Sequence, residues 1–128
     1  MRFPFAYDRW SRPVFTALGT GPSRAWVEVD GGALRVRMGW AFKLDTTTWA
    51  VGYAEQLDEP VPALLGIGVH GWRRSWAVNP VRRPHVKIRF AAPQHAWTLK
   101  LPVWVEVLHL TPADPEGLVA ALREQAPT

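Results

Sequence analysis

A chain of 128 residues can bury a hydrophobic core of its own, and the absence of cysteine excludes disulfides, thiolate metal sites and a cysteine nucleophile. Fifteen Lys and Arg against eleven Asp and Glu give a net charge of +4 and a pI near 10.1, which favours acidic partners such as nucleic acid or anionic lipid. The first ten residues lack the apolar stretch of a secretory signal, and no run approaches the roughly 20 apolar residues of a membrane span, so the expected compartment is the cytoplasm.

In chain order, Ser11 to Gly19 predicts a short helical turn, with Ser11 as N-cap, Pro13 in the first turn and Gly19 as the stop. Gly21-Pro22 then ends it. From Arg24 onward the apolar period becomes two, the period of a strand with one buried face. Ala25, Val27 and Val29 alternate with polar residues up to Asp30-Gly31-Gly32, a hairpin signal. Leu34, Val36, Met38, Trp40, Phe42 and Leu44 then occupy every second position and predict one long strand, bent at Gly39. Trp49, Val51 and Tyr53 predict another, followed by a loop from Glu55 to Pro62. Trp76 and Val78, then Val86, Ile88 and Phe90, predict two more strands around a turn at Asn79-Pro80. Trp97, Leu99, Leu101, Val103, Val105 and Val107 read as a last strand that Pro102 bends or confines to an edge, because proline donates no ladder hydrogen bond. Asp114-Pro-Glu opens a final helix, with Asp114 as N-cap and Leu118, Val119 and Leu122 as its apolar stripe. So short a helix is marginal by itself and is expected to dock on the sheet. The whole of 1–128 reads as one domain: an N-terminal extension over 1–23, a barrel over 24–110 and a helix over 114–124.

Eight tryptophans are many for this length. Each indole buries about 150–250 Å² when sheltered, so most are expected in the core, with the remainder lining a pocket. Between Pro60 and Val105 lie seven Lys or Arg, four of the tryptophans and no Asp or Glu. The run Arg73, Arg74, Arg82, Arg83, Lys87, Arg89 and Lys100 with Trp72, Trp76 and Trp97 is what a single-stranded nucleic-acid surface requires. The favoured reading is nevertheless a half-solvated strand face, since Lys87 and Arg89 alternate with Val86, Ile88 and Phe90.

The stretches Trp26-Val-Glu-Val-Asp-Gly-Gly-Ala-Leu-Arg-Val-Arg-Met-Gly-Trp-Ala-Phe42, Gly68-Val-His-Gly-Trp-Arg73, Trp76-Ala-Val-Asn79 and Asp114-Pro-Glu-Gly-Leu-Val-Ala-Ala-Leu122 resemble an uncharacterised bacterial family, common in actinobacteria, with a pleckstrin-homology-like (PH-like) domain. The resemblance implies a mostly β fold, a PH-like antiparallel barrel or sandwich of about six or seven strands closed by a C-terminal capping helix. It carries no reaction and no catalytic residue. Phosphoinositide-binding PH domains hold the headgroup with Lys and Arg around their first hairpin, whereas the corresponding turn here is Asp30-Gly31-Gly32, so headgroup binding of that kind is not expected.

Gly66-Ile-Gly68-Val-His-Gly71 matches G-x-G-x-x-G, but Trp72-Arg-Arg-Ser-Trp76 follows in place of a helix and no acid lies about 20 residues on, so no dinucleotide is expected. His70, His85, His95 and His109 lack the paired spacing of a zinc site, and no metal or other cofactor is expected. Without a nucleophile motif, the leading expectation is a non-enzymatic interaction or scaffolding module with a protein partner or a second copy of itself. Two alternatives stand beside it: a pocket for a small anionic ligand or a reaction around His70, Trp72, Arg73 and Trp40, and a basic nucleic-acid surface on Arg74, Arg82, Arg83, Lys87 and Arg89.

Overall fold

A computed structural model describes residues 1–60, 68–72, 74–79 and 84–125. It is mostly β, a curled half-barrel with a C-terminal helix, in agreement with the expected fold class. The strands are β1 (Arg2–Pro4), β2 (Ala25–Asp30), β3 (Ala33–Met38), β4 (Phe42–Thr47), β5 (Val51–Pro60), β6 (Gly68–Trp72), β7 (Ser75–Asn79), β8 (Pro84–Thr98) and β9 (Leu101–Leu110). Among the described residues the α-helices are α1 (Ser11–Ala17) and α2 (Pro115–Gln125). The sheet order is β1-β2-β3-β4-β8-β9-β7-β6, with β5 also paired to β8. All described strand pairings are antiparallel except β7 with β9, where Ser75–Val78 run parallel to Val107–Leu110.

Several predicted elements appear in altered form. The N-terminal extension contributes a strand, since β1 pairs with β2, and Ala6 and Ala113 donate to Thr111 and Pro4 carbonyls, which ties the segment after β9 back to β1. Ser11 lies within α1 rather than capping it; its Oγ accepts the Asp8 N–H at 2.7 Å. The helix stops where expected, as the Gly19 and Thr20 amides donate to the carbonyls of Thr16 and Phe15 in a Schellman closure. Glu55 to Pro60, read as loop, continues β5 along β8, and Val61 and Pro62 lie outside the described residues. The turn expected around Asn79-Pro80 also lies largely outside them.

The two long alternations are each a hairpin. Leu34 to Leu44 folds back at Gly39–Ala41, pairing Val36 with Leu44 and Arg37 with Lys43. Three tip residues keep the same odd–even parity on both arms, so Leu34, Val36, Met38, Phe42 and Leu44 all reach the interior and the rhythm runs unbroken through the turn. Only Gly fits at position 39: its φ is 53°, and a Cβ there would collide with the Gly19 carbonyl oxygen. The run from Trp97 turns at Leu99 and Lys100, pairing Trp97 with Pro102 and Ala96 with Val103. A two-residue turn inverts the parity, which sends Ala96, Val103 and Val105 inward or toward the interior and Trp97, Pro102 and Trp104 outward. Pro102 lies on the half of β9 that has no β7 partner, the edge position its missing N–H demands.

The interior is mainly aliphatic, with Phe3, Phe5, Phe42 and Phe90 built into it. Leu34, Val36, Met38, Phe42, Leu44, Ile88, Leu108 and Leu110 are fully buried, and Leu118 and Leu122 of α2 join them by packing the helix across β5 and β8. Asp114 caps α2 as expected, its Oδ1 accepting the Gly117 N–H at 3.0 Å.

Candidate functional site

The indoles are not core. Among the seven tryptophans with described side chains, Trp26 and Trp76 are half-buried, while Trp10, Trp40, Trp49, Trp97 and Trp104 are exposed by 43% to 72%. This corrects the expectation that most would be sheltered. Aliphatic residues, with Met38, Phe3, Phe42 and Phe90, already fill the inward parity of the strands, and the exposed indoles fall on the outward parity or at turns.

They are not scattered either. The tips of the β3–β4 and β8–β9 hairpins are laced together at one carbonyl: Thr98 Oγ1 and the Leu99 N–H both donate to Ala41 O, at 2.9 and 3.2 Å. Trp40 is fixed by its Nε1, which donates to Leu18 O at 2.6 Å. Between the tips lies a groove of about 380 Å³ lined by Gly39, Trp40, Lys43, Trp97 and Lys100. Among the described residues no carboxylate lines it. Asp45 accepts Arg37 at 2.7 Å and stands 4.0 Å from Lys43, while Lys100 has no acidic partner among the described residues.

From the groove the aromatic surface continues along the outer face. His95 sits 4.9 Å from Trp97 and 5.4 Å from Trp104, centroid to centroid, so three rings contact in series. Across the strands, Trp26 faces Arg37, Arg37 faces Lys43, Lys43 faces Trp97 and Trp97 faces Pro102 in register, a row of indoles and cations spanning β2 to β9. At its far end Arg2 lies 4.5 Å above Trp26, and Glu28 takes Arg2 and Arg35 at 2.9 and 3.0 Å. The Arg2 hydrogen bond, with that of Arg35, holds the Glu28 carboxyl below its ordinary range.

The residues singled out from sequence are dispersed. His70 and Trp72 lie on β6, opposite Ala77 and Ser75, and their side chains, with all of Arg73, Arg82 and Arg83, are outside the described residues. β6 ends the sheet order, with β8, β9 and β7 between it and β4, so Trp40 is grouped with Lys43, Trp97 and Lys100 instead. Arg74 is exposed. Lys87 faces Glu55 across the β5–β8 ladder, and Arg89 donates to Tyr53 Oη at 3.4 Å and lies 3.8 Å from Glu106. Trp76 turns toward Phe42, at 6.4 Å between centroids, and does not join the outer indoles. His85 and His109 are buried and bonded, His85 Nε2 to His109 Nδ1 at 2.9 Å, one ring donating and the other accepting. Among the described residues no three His, Asp or Glu are arranged to hold a metal ion, and no helix is long and apolar enough to cross a membrane.

Lys43 is the charged lining residue without a signal in the sequence, whereas Lys100 and Trp97 already belong to the basic, Trp-bearing run. The meeting of Lys43 and Lys100 depends on contact between tips some 57 residues apart in the chain. Comparison of the chain with protein-family models, with curated proteins and with solved structures finds no match.

Proposed function

We propose that the protein is a non-enzymatic, cytoplasmic interaction module of PH-like arrangement, and that its outer face, centred on Trp40, Trp97 and Trp104, is the recognition surface. The observation that carries this reading is a set of exposed indoles gathered in one groove and one ring series, in a fold whose interior is complete without them. Single exposed apolar residues need no explanation, whereas a contiguous aromatic patch beside cations is the signature of a contact surface. The groove presents ring faces and ammonium groups, chemistry suited to holding a partner. A half-barrel of mainly antiparallel strands followed by a docked C-terminal helix supports the PH-like comparison.

The reading requires that the rings be dispensable for folding. Trp104→Ser is expected to change unfolding free energy by no more than about 1 kcal/mol in urea titration. A loss above about 2 kcal/mol makes the ring structural and removes the argument.

A further inference from the structure

We infer that the groove between the two hairpin tips binds single-stranded nucleic acid, Trp97 and Trp40 stacking on bases while Lys43 and Lys100 meet phosphates. This deepens, and rests on, the assignment of the outer face as the recognition surface. The lining decides the ligand class. Two indoles, two ammonium groups and no carboxylate match a ligand that offers flat π-faces and anions in alternation. A neutral sugar uses only the rings, and a simple anion only the lysines.

The surroundings extend the match. The Trp97–His95–Trp104 series prolongs the stacking surface along β8 and β9, and the row Trp97, Lys43, Arg37, Trp26 sets two cations between two indoles across strands about 4.8 Å apart. The turn that carries Lys100 is a third observation. Leu99 and Lys100 have φ of 51° and 66°, conformations that two-residue hairpins ordinarily fill with Asn and Gly. Two large side chains are kept there, and one of them lines the groove.

A bilayer suits this face poorly, because Glu28, Arg35, Arg37 and Asp45 alternate with the indoles and insertion would bury their charges. A nucleic-acid strand leaves them in water. Duplex is disfavoured because its bases are already stacked on one another, leaving no π-face for Trp97.

The test is fluorescence anisotropy of a labelled oligothymidylate of about a dozen nucleotides with the full chain at low salt, a length within the span of one stacking groove. Binding is expected, with Trp97→Ala weakening it roughly 5- to 150-fold and Trp97→Phe, which keeps a stacking ring, restoring most of it. Lys100→Gln is expected to flatten the log K against log salt slope by about 0.7. Trp49→Ala, an exposed indole outside the groove, is expected to bind as the parent does. The inference is overturned by no binding at low salt, by equal affinity of Trp97→Ala and parent, or by equal affinity for the corresponding duplex. Anionic phospholipid vesicles bound through Trp97 in place of the oligonucleotide overturn it too, yet leave the recognition surface standing. Unfolding of both Trp97 variants, seen by circular dichroism, sinks the surface itself.

Discussion

Gly39 and Gly31 share a backbone conformation and differ in their neighbours. Both have positive φ, 53° and 56°, but a Cβ on Gly39 would run into the Gly19 carbonyl while one on Gly31 would meet nothing within 4 Å. Gly31→Ala is therefore expected to cost about 1–2 kcal/mol from the left-handed conformation alone. Gly39→Ala is expected to cost about 2–4 kcal/mol, since the α1 C-terminus must also move. Urea midpoints of the two variants measure the difference, and equal losses would show that the close approach is not tight. Both glycines were legible as turn residues, but only the fold distinguishes them. The two tyrosines were equally alike in sequence. Burial raises Tyr7 to about 12, and its phenol donates to Thr20 O at 2.8 Å; exposed Tyr53 is lowered, first by its hydrogen bond from Arg89. Because the Tyr7 value rises on folding, its contribution is complete below the unfolded value near 10.0 and drains away as pH climbs through about 12. With the ring only partly buried, that contribution is about 1 kcal/mol after screening. Phenolate absorbance is expected to rise in two steps, Tyr53 before Tyr7; a single joint step contradicts both environments.

At the scale of elements, hairpin tips decided what the alternation of residues left open. An odd number of tip residues, as at Gly39–Ala41, keeps the inward parity and hides the turn within a longer apparent strand. An even number, as at Leu99-Lys100, inverts it, so Trp97 shares a face with Pro102 and Trp104 instead of Val103 and Val105. Period two was thus read correctly while strand ends and one face were not. The Gly31-Gly32 turn was legible because its residues advertise positive φ, and Leu99-Lys100 was missed because its residues do not. Relieving that turn separates its two roles. Lys100→Gly is expected to raise stability by about 1 kcal/mol and to weaken oligonucleotide binding in the same protein. Thermal melts and anisotropy on one preparation check both signs, and a variant that is less stable would show that the turn is unstrained. α2 needed no correction, since Asp114, Leu118, Val119 and Leu122 act as their spacing indicated.

For the molecule as a whole, the buried core and the proposed recognition surface draw on two residue classes. Ile88 is fully buried in the aliphatic cluster, and Ile88→Ala is expected to cost about 2–5 kcal/mol, several times the change from removing an exposed indole. Similar losses for Ile88→Ala and Trp104→Ser in parallel urea titrations would contradict the division. Charge is partitioned likewise: Lys87 and Arg89, prominent in the sequence, face Glu55 and Glu106, whereas Lys100 stands in a groove without acids. The sequence by itself determined that the chain is mostly β, that a capped C-terminal helix docks on the sheet, and that the turn after Asp30 is tight, because each of these follows from spacing and turn chemistry within a few residues. Which residues form the site was decided only by tertiary structure. It depends on the parity across two turns and on one carbonyl, that of Ala41, joining hairpin tips far apart in the chain, and no local pattern encodes a long-range contact.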